Sequence, residues 1–377
     1  MPPLAGNSRL SGKRIRRAAR TENNPTAGAL PPGGRQIQPP HEQQLKRSTQ
    51  IWTRLDYERS GKQIGNLHFP HSVHRSAYGT ITIPVGVVAG GKGPTMLLTA
   101  GTHGDEYEGQ IALTKLLQSI DPASINGRLI VLPMLNAPAA LAGSRVSPLD
   151  GGNLNRAYPG DPLGGPTAAI ADYVSSVLLP LADFYQDFHA GGSSLNYLPF
   201  VSTRRSGDPD LDNRALAAAR AFGAPHLQVW GYSPDPRLST SESNRQGIIS
   251  LGGEFGGGGT VSRQGLALIE NGIQRLLAHF GMVEQTFAEP TSPAIEFEVL
   301  GRDYYVYATE DGVFEPMTDL GDRIEAGALC GMVHAVDDPA RPATPQHFEI
   351  SGIVVCQRHP SLVVRGDCLA HLATPRI

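Results

Sequence analysis

The chain has 377 residues and a formal net charge of -3 at pH 7, long enough for one large domain or two smaller ones. With 40% hydrophobic and 18% charged residues it can bury a substantial core, and the near balance of charge excludes a histone-like or polybasic role on nucleic acid.

The balance is uneven along the chain. Residues 1–50 hold nine Lys/Arg against two Asp/Glu, so the tail carries +7 and the remainder -10. This tail is polar, rich in Pro and Gly and without apolar periodicity, which predicts disorder. No apolar stretch follows its arginine pairs, and nowhere do about 18 apolar residues run together; the expectation is a cytoplasmic protein with no membrane or nucleic-acid partner.

From Ser76 the pattern changes to apolar strands, TITIPVGVVAG and TMLLTAG, then an amphipathic helix over about 108–120, then the strand RLIVLPMLN. A further helix, TAAIADYVSSVLLPLA, precedes DFYQDFHAGG, and two more are predicted over 211–222 and 262–279. Continuous apolar strands alternating with helices read as an α/β domain, residues 51–288, whose mixed sheet carries helices on both faces and functional residues at strand ends. After the Pro-rich linker Glu289–Pro293 the texture becomes all-β, which predicts a second domain over 294–377 resembling the two hairpin-rich halves of a biotinyl or lipoyl barrel sandwich. No lysine follows Lys115, so a carrier role is excluded and a lid or assembly surface is expected; the sequence leaves a homo-oligomer open. Cys330, Cys356 and Cys368 are odd in number with no CxxC spacing, which predicts reduced thiols rather than a disulfide framework or thiolate zinc site.

A metal site therefore has to be built from His and carboxylates. LLTAGTHGDEYEG places His103 and Glu106 in a turn after an apolar strand, where an imidazole nitrogen and a carboxylate oxygen can converge on one cation. Such a pair alone is more often a surface ion pair. His189, directly after another apolar run and followed by two glycines, supplies a third ligand and leaves the fourth zinc position for water, as in catalytic sites. Asp187 either accepts the N–H of a ligand imidazole or forms a core salt bridge.

With GTHGDE, NLNRAYPG, DFHAGG and GGEFGGGG in this order, the chain resembles, over about residues 80–374, the succinylglutamate desuccinylase/aspartoacylase family of zinc amidohydrolases, relatives of the zinc carboxypeptidases. The resemblance implies one zinc on His103, Glu106 and His189, and a zinc-bound water as nucleophile. It makes Glu254 the general base and acid, Arg145 the residue that polarises the carbonyl and steadies the oxyanion, and Asn155 with Arg156 the holders of a substrate carboxylate. Asn153 departs from the pattern, since many members carry Asp there. Glu296 and Glu298 alternate on one strand face and read as a solvated edge.

Within the family, YEGQIAL, SPLDGGNLNRAYPGDP and EFGGGGT look like the branch that includes N-acetyl-diaminobutyrate deacetylases of ectoine breakdown. That substrate has a free amine, for which Asp105 or Asp150 is a candidate acid, while Arg204 and Arg205 keep a succinyl group open. The expected activity is hydrolysis of a small N-acyl amino acid. Desuccinylase or aspartoacylase-type activity, a carboxypeptidase and a non-catalytic binding protein are the alternatives. The GGGG run at 256–259 has no following Lys-Ser/Thr and does not read as a phosphate loop.

Overall fold

A computed structural model of the chain describes residues 49–232, 235–285, 287 and 293–376. The disorder reading of the tail, on residues 1–48, lies outside them, as does most of the Glu289–Pro293 linker. The described residues belong to one compact unit, Arg47–Ile377.

Two neighbouring strands show why the sheet is covered on both faces. In Thr95–Ala100, Met96, Leu98 and Ala100 enter one core cluster and Leu97 the other; in Gly127–Leu132, Leu129 and Val131 pack on the first side, Ile130 and Leu132 on the second. Period-two alternation with apolar residues at every position requires a layer on each side. The helices Glu108–Ser119, Pro209–Phe222 and Arg263–His279 cover one face, through Leu113, Ala218 and Ile273 among others. Pro166–Tyr173, continued by a wide turn over Val174–Leu178, covers the other through Ile170, Val174 and Leu178.

The sheet is mixed. Gly127–Leu132, Thr95–Ala100, Phe184–Phe188 and Ile249–Glu254 are parallel neighbours in that order. Gly61–Pro70 and Thr80–Gly90 extend one side as an antiparallel pair. On the other side Phe200–Arg204 runs antiparallel to Ile249–Glu254, and His226–Trp230 and then Ile295–Val299 follow in parallel. The segment from Ile295 onward is made of strands and turns with one short 3-10 turn, Arg302–Tyr304. Through Ile295–Val299, Cys368–Pro375 and Gly352–Arg358 it continues the large sheet, while Thr344–His347, Leu329–His334, Gly312–Pro316 and Leu362–Val363 form a second, four-stranded sheet. These strands enclose a third core cluster around Phe297, Phe314, Val354 and Leu372. Glu298 pairs with Arg205, and Glu296 with Arg220 and Arg376.

Among the described residues no helix is long and apolar enough to cross a membrane. The three cysteines are free, Cys330 and Cys356 buried.

Candidate active site

Parallel strands deliver the site residues at their carboxyl ends, where the chain leaves the sheet and side chains converge. His103 and Glu106 lie in the loop between Thr95–Ala100 and the helix Glu108–Ser119; His189 follows Phe184–Phe188; Glu254 ends Ile249–Glu254. The first loop is tight because Gly104 sits against the short helix Ala137–Ala142, where a Cβ would stand 2.1 Å from the Ala139 backbone. His189 and Glu254 are bridge partners, with Phe255 N–H donating to the His189 carbonyl at 3.0 Å. At Gly257, φ is +149° and a Cβ would meet the Leu195 carbonyl at 2.2 Å, so only glycine brings the loop after Glu254 this close.

His103 Nδ1 stands 2.7 Å from Glu106 Oε1, and His189 Nδ1 2.8 Å from Glu106 Oε2. One ligand atom from each residue lies within 4.8 Å of the others, a spacing that fits a single cation. Both rings turn Nε2 away from this centre, His103 toward Asn153 Oδ1 at 3.2 Å and His189 toward Asp187 Oδ2 at 2.9 Å. Asn153 keeps the acceptor that orients the ring but not the charge that an aspartate would bring. Asp187 is fully buried, with Thr99 and Thr102 hydroxyls donating to Oδ1 at 2.8 and 2.9 Å and Ser239 Oγ to Oδ2 at 3.0 Å. It is therefore both the imidazole's partner and a core ion pair.

The electrostatics follow from burial opposed by charge. Burial pushes the Glu106 carboxyl up, but the two imidazoles outweigh it and hold the group below the usual carboxylate range. Burial pushes His189 down, yet Asp187 and Glu106 together raise it well above the usual imidazole value, whereas His103 is lowered, chiefly by burial. For Glu254 burial and the nearby Glu106 charge both act upward, and the carboxyl stays well above its ordinary range; its Oε2 has no hydrogen-bond partner among the described residues.

Arg145 Nη1 reaches Glu106 Oε1 and His103 Nδ1, each at 3.4 Å. Asn155 Nδ2 lies 3.3 Å from His189 Nε2, and its Oδ1 accepts from Ser239 N–H at 3.0 Å. Arg156 donates to the Asn155 carbonyl at 2.7 Å, with its Nε 3.7 Å from Asp235 Oδ2. All seven sequence-predicted site residues thus line one cavity of about 270 Å³. The candidate acids Asp105 and Asp150 do not line it. Asp105 Oδ2 ties down the loop after His189 by accepting from Ser193 N–H and Oγ, each at 2.7 Å, and Asp150 accepts from Thr167 at the start of Pro166–Tyr173. Arg204 lines the cavity; Arg205 points instead to Glu298.

Sequence reasoning missed Tyr197, Trp230, Asp235 and Tyr305 on the cavity wall. None lies in a recognisable motif. Trp230 and Tyr305 arrive through strand pairing that joins residues far apart in the chain.

A family model for the succinylglutamate desuccinylase/aspartoacylase catalytic domain matches residues 92–280. The chain is 40% identical over 328 residues to the N-alpha-acetyl-L-2,4-diaminobutyric acid deacetylase of Halomonas elongata, covering 87% of this chain and 96% of that one. The product-bound structure of the ectoine utilization protein EutE (DoeB) from Ruegeria pomeroyi superposes with a TM-score of 0.84 at 35% identity, covering 87% of this chain and 100% of that one. A succinylglutamate desuccinylase/aspartoacylase structure from Rhodobacter sphaeroides gives 0.83 at 38% identity, again covering 87% and 100%. The same residues that close on one another at the strand ends fall within or beside the matched catalytic region, and the chain belongs to the succinylglutamate desuccinylase/aspartoacylase family.

Proposed function

We propose that the protein is a zinc-dependent deacetylase that hydrolyses the amide of a small N-acyl amino acid, with N-α-acetyl-L-2,4-diaminobutyrate as substrate. The observation that carries this reading is the 40% identity, across 96% of its length, to a deacetylase of that substrate. A cytoplasmic enzyme acting on a small molecule, without nucleic-acid or membrane partners, is part of the same proposal.

His103, Glu106 and His189 would hold the zinc; two imidazole nitrogens and a carboxylate oxygen are a donor set that suits this borderline cation. When bound, zinc supplies a Lewis acid that polarises an amide carbonyl and makes water a stronger acid near neutral pH. The chain's own residues do the rest. Glu254, at the strand end beside His189 in the same cavity, takes a proton from the attacking water as the ionised carboxylate and returns it to the leaving nitrogen. Arg145 faces the same centre and opposes the charge that develops on the carbonyl oxygen. Asn155 fixes orientation beside His189, and Arg156 offers its planar guanidinium to the substrate carboxylate. Asp235, on the cavity wall, is the acid within reach of a free ammonium.

Desuccinylation is a second reading, favoured by one observation: the additional arginine Arg204 on the cavity wall. The deciding experiment is hydrolysis of a panel of N-acetyl, N-succinyl and N-formyl amino acids, with N-α-acetyl-L-2,4-diaminobutyrate among them, with and without added zinc. The expected result is zinc-dependent deacetylation with about one zinc per chain. A zinc-loaded protein that cleaves none of the N-acetyl compounds ends the proposal.

A further inference from the structure

Arg204 ends the strand Phe200–Arg204 and lines the cavity that holds the candidate ligands. Among the described residues no carboxylate lies within ion-pair distance of its guanidinium and none of its nitrogens donates a hydrogen bond, while Nε is shut off from solvent. Its neighbour Arg205 makes the contrast plain, for that exposed side chain is paired with Glu298 at 2.9 Å. Burial pushes the Arg204 pKa down to about 10. A guanidinium has five N–H donors in a fixed fork and cannot shed its charge near neutral pH, so a half-buried fork whose Nε is closed off without a partner gains from an anion that enters the cavity.

The rest of the cavity narrows the choice of anion. Arg156 and Arg204 line the same cavity, and the Arg156 charge adds to burial in lowering the basicity of Arg204. Asp235 is the carboxylate beside Arg156, and it also pairs with Arg237 at 2.8 Å. Glu106 is engaged by two imidazoles and Glu254 belongs to the strand end beside His189. Arg145 has Glu106 and Arg156 has Asp235, so Arg204 is the lining arginine with no carboxylate partner among the described residues, and a planar, singly charged anion reaching it and Arg156 would satisfy both.

We infer that Arg204 is a specificity-determining residue that, with Arg156, binds the α-carboxylate of the amino acid moiety. The inference rests on the deacetylase reading and names the group that recognises its substrate. The α-carboxylate, rather than a carboxylate on the acyl chain, is the occupant because it is present in every member of the substrate class, and Arg156 already faces the subsite.

The test is calorimetric binding of L-2,4-diaminobutyrate and of its α-carboxamide to the zinc-loaded full chain, beside steady-state deacetylation. The wild type should prefer the carboxylate by about 30-fold or more, since a site built for an anion is left with an unpaired cation by the amide. Arg204→Gln should reduce that preference to about 3-fold or less and raise KM with kcat largely kept, and Arg204→Lys should retain an intermediate preference. Circular dichroism checks that both variants fold; if Arg204→Gln does not, the preference of Arg204→Lys decides, a value below half the wild-type preference supporting the assignment and an undiminished one overturning it. Undiminished preference in Arg204→Gln overturns the assignment while leaving the deacetylase reading intact. A wild type that neither hydrolyses the acetylated compound nor binds its product overturns both.

Discussion

Glu254 and Asn153 lie at the same centre and fail in different ways when changed. Glu254→Gln keeps the shape and removes the titratable proton, so turnover should fall by about 10²-fold or more while the zinc content, measured by atomic absorption, stays near that of the wild type. Full turnover in this variant would remove Glu254 from the mechanism. Asn153→Ala takes away the acceptor 3.2 Å from His103 Nε2 and frees the ring to tilt. Zinc affinity, titrated against a competing chelator, should weaken by about 10-fold or more, as for other partners that orient a ligand imidazole; an unchanged affinity would show that the ring is held by packing alone. That His103, Glu106 and His189 would come together was legible in the sequence because each follows an apolar strand within a few residues, so local pattern and position at the strand end coincide. Asp105 shows the limit: it is a candidate acid for a substrate amine in the sequence, but the side chain turns to Ser193 and holds two loops together. Asp235 could not be singled out, since its neighbour Arg156 is brought to it only by the folded loop.

The helices Pro209–Phe222 and Arg263–His279 meet where Gly272 faces Phe222, and a Cβ there would stand 2.2 Å from the ring. Gly272→Ala gains up to about 1 kcal/mol of helix propensity, but forcing a methyl against a buried ring typically costs about 1–3 kcal/mol. The overlap should win, and urea unfolding should show a net loss of about 1 kcal/mol or more; a stabilised variant would mean that the helix pair slides apart without cost. Both helices were readable from their apolar stripes, Leu266, Ile269, Ile273, Leu276 and Leu277 in the second. The strand Gly61–Pro70 was not, because GKQIGNLHFP mixes glycine, lysine and asparagine into a half-buried strand whose pairing with Thr80–Gly90 decides its conformation. Ala137–Ala142 and Ser239–Arg245 are too short to show a period.

Across the whole molecule the strands that carry the candidate site and the later all-β segment share one wall. His371, on Cys368–Pro375, packs its ring 5.5 Å from Tyr197, 6.2 Å from Trp230 and 4.9 Å from Tyr305, centroid to centroid, and all three aromatics line the cavity. It is buried, its Nε2 has no partner among the described residues, and burial lowers its pKa from 6.5 to about 4. Between those values the unfolded chain binds a proton that the native chain refuses, so stability rises with pH across this window and is lost as pH falls toward 4, by up to about 3 kcal/mol. His371→Phe should flatten this part of the pH dependence, seen as a smaller shift in urea midpoint between pH 7 and pH 4.5 than in the wild type; equal shifts would assign the effect elsewhere. The sheet continuing from His226–Trp230 into Ile295–Val299 has a practical consequence for anyone trimming the protein to its matched catalytic region. Ending the chain near residue 285 would strip a row of backbone amides and carbonyls of their mates along His226–Trp230, leaving a raw seam onto which strands of other molecules can zip. Such a fragment should clump before it catalyses anything.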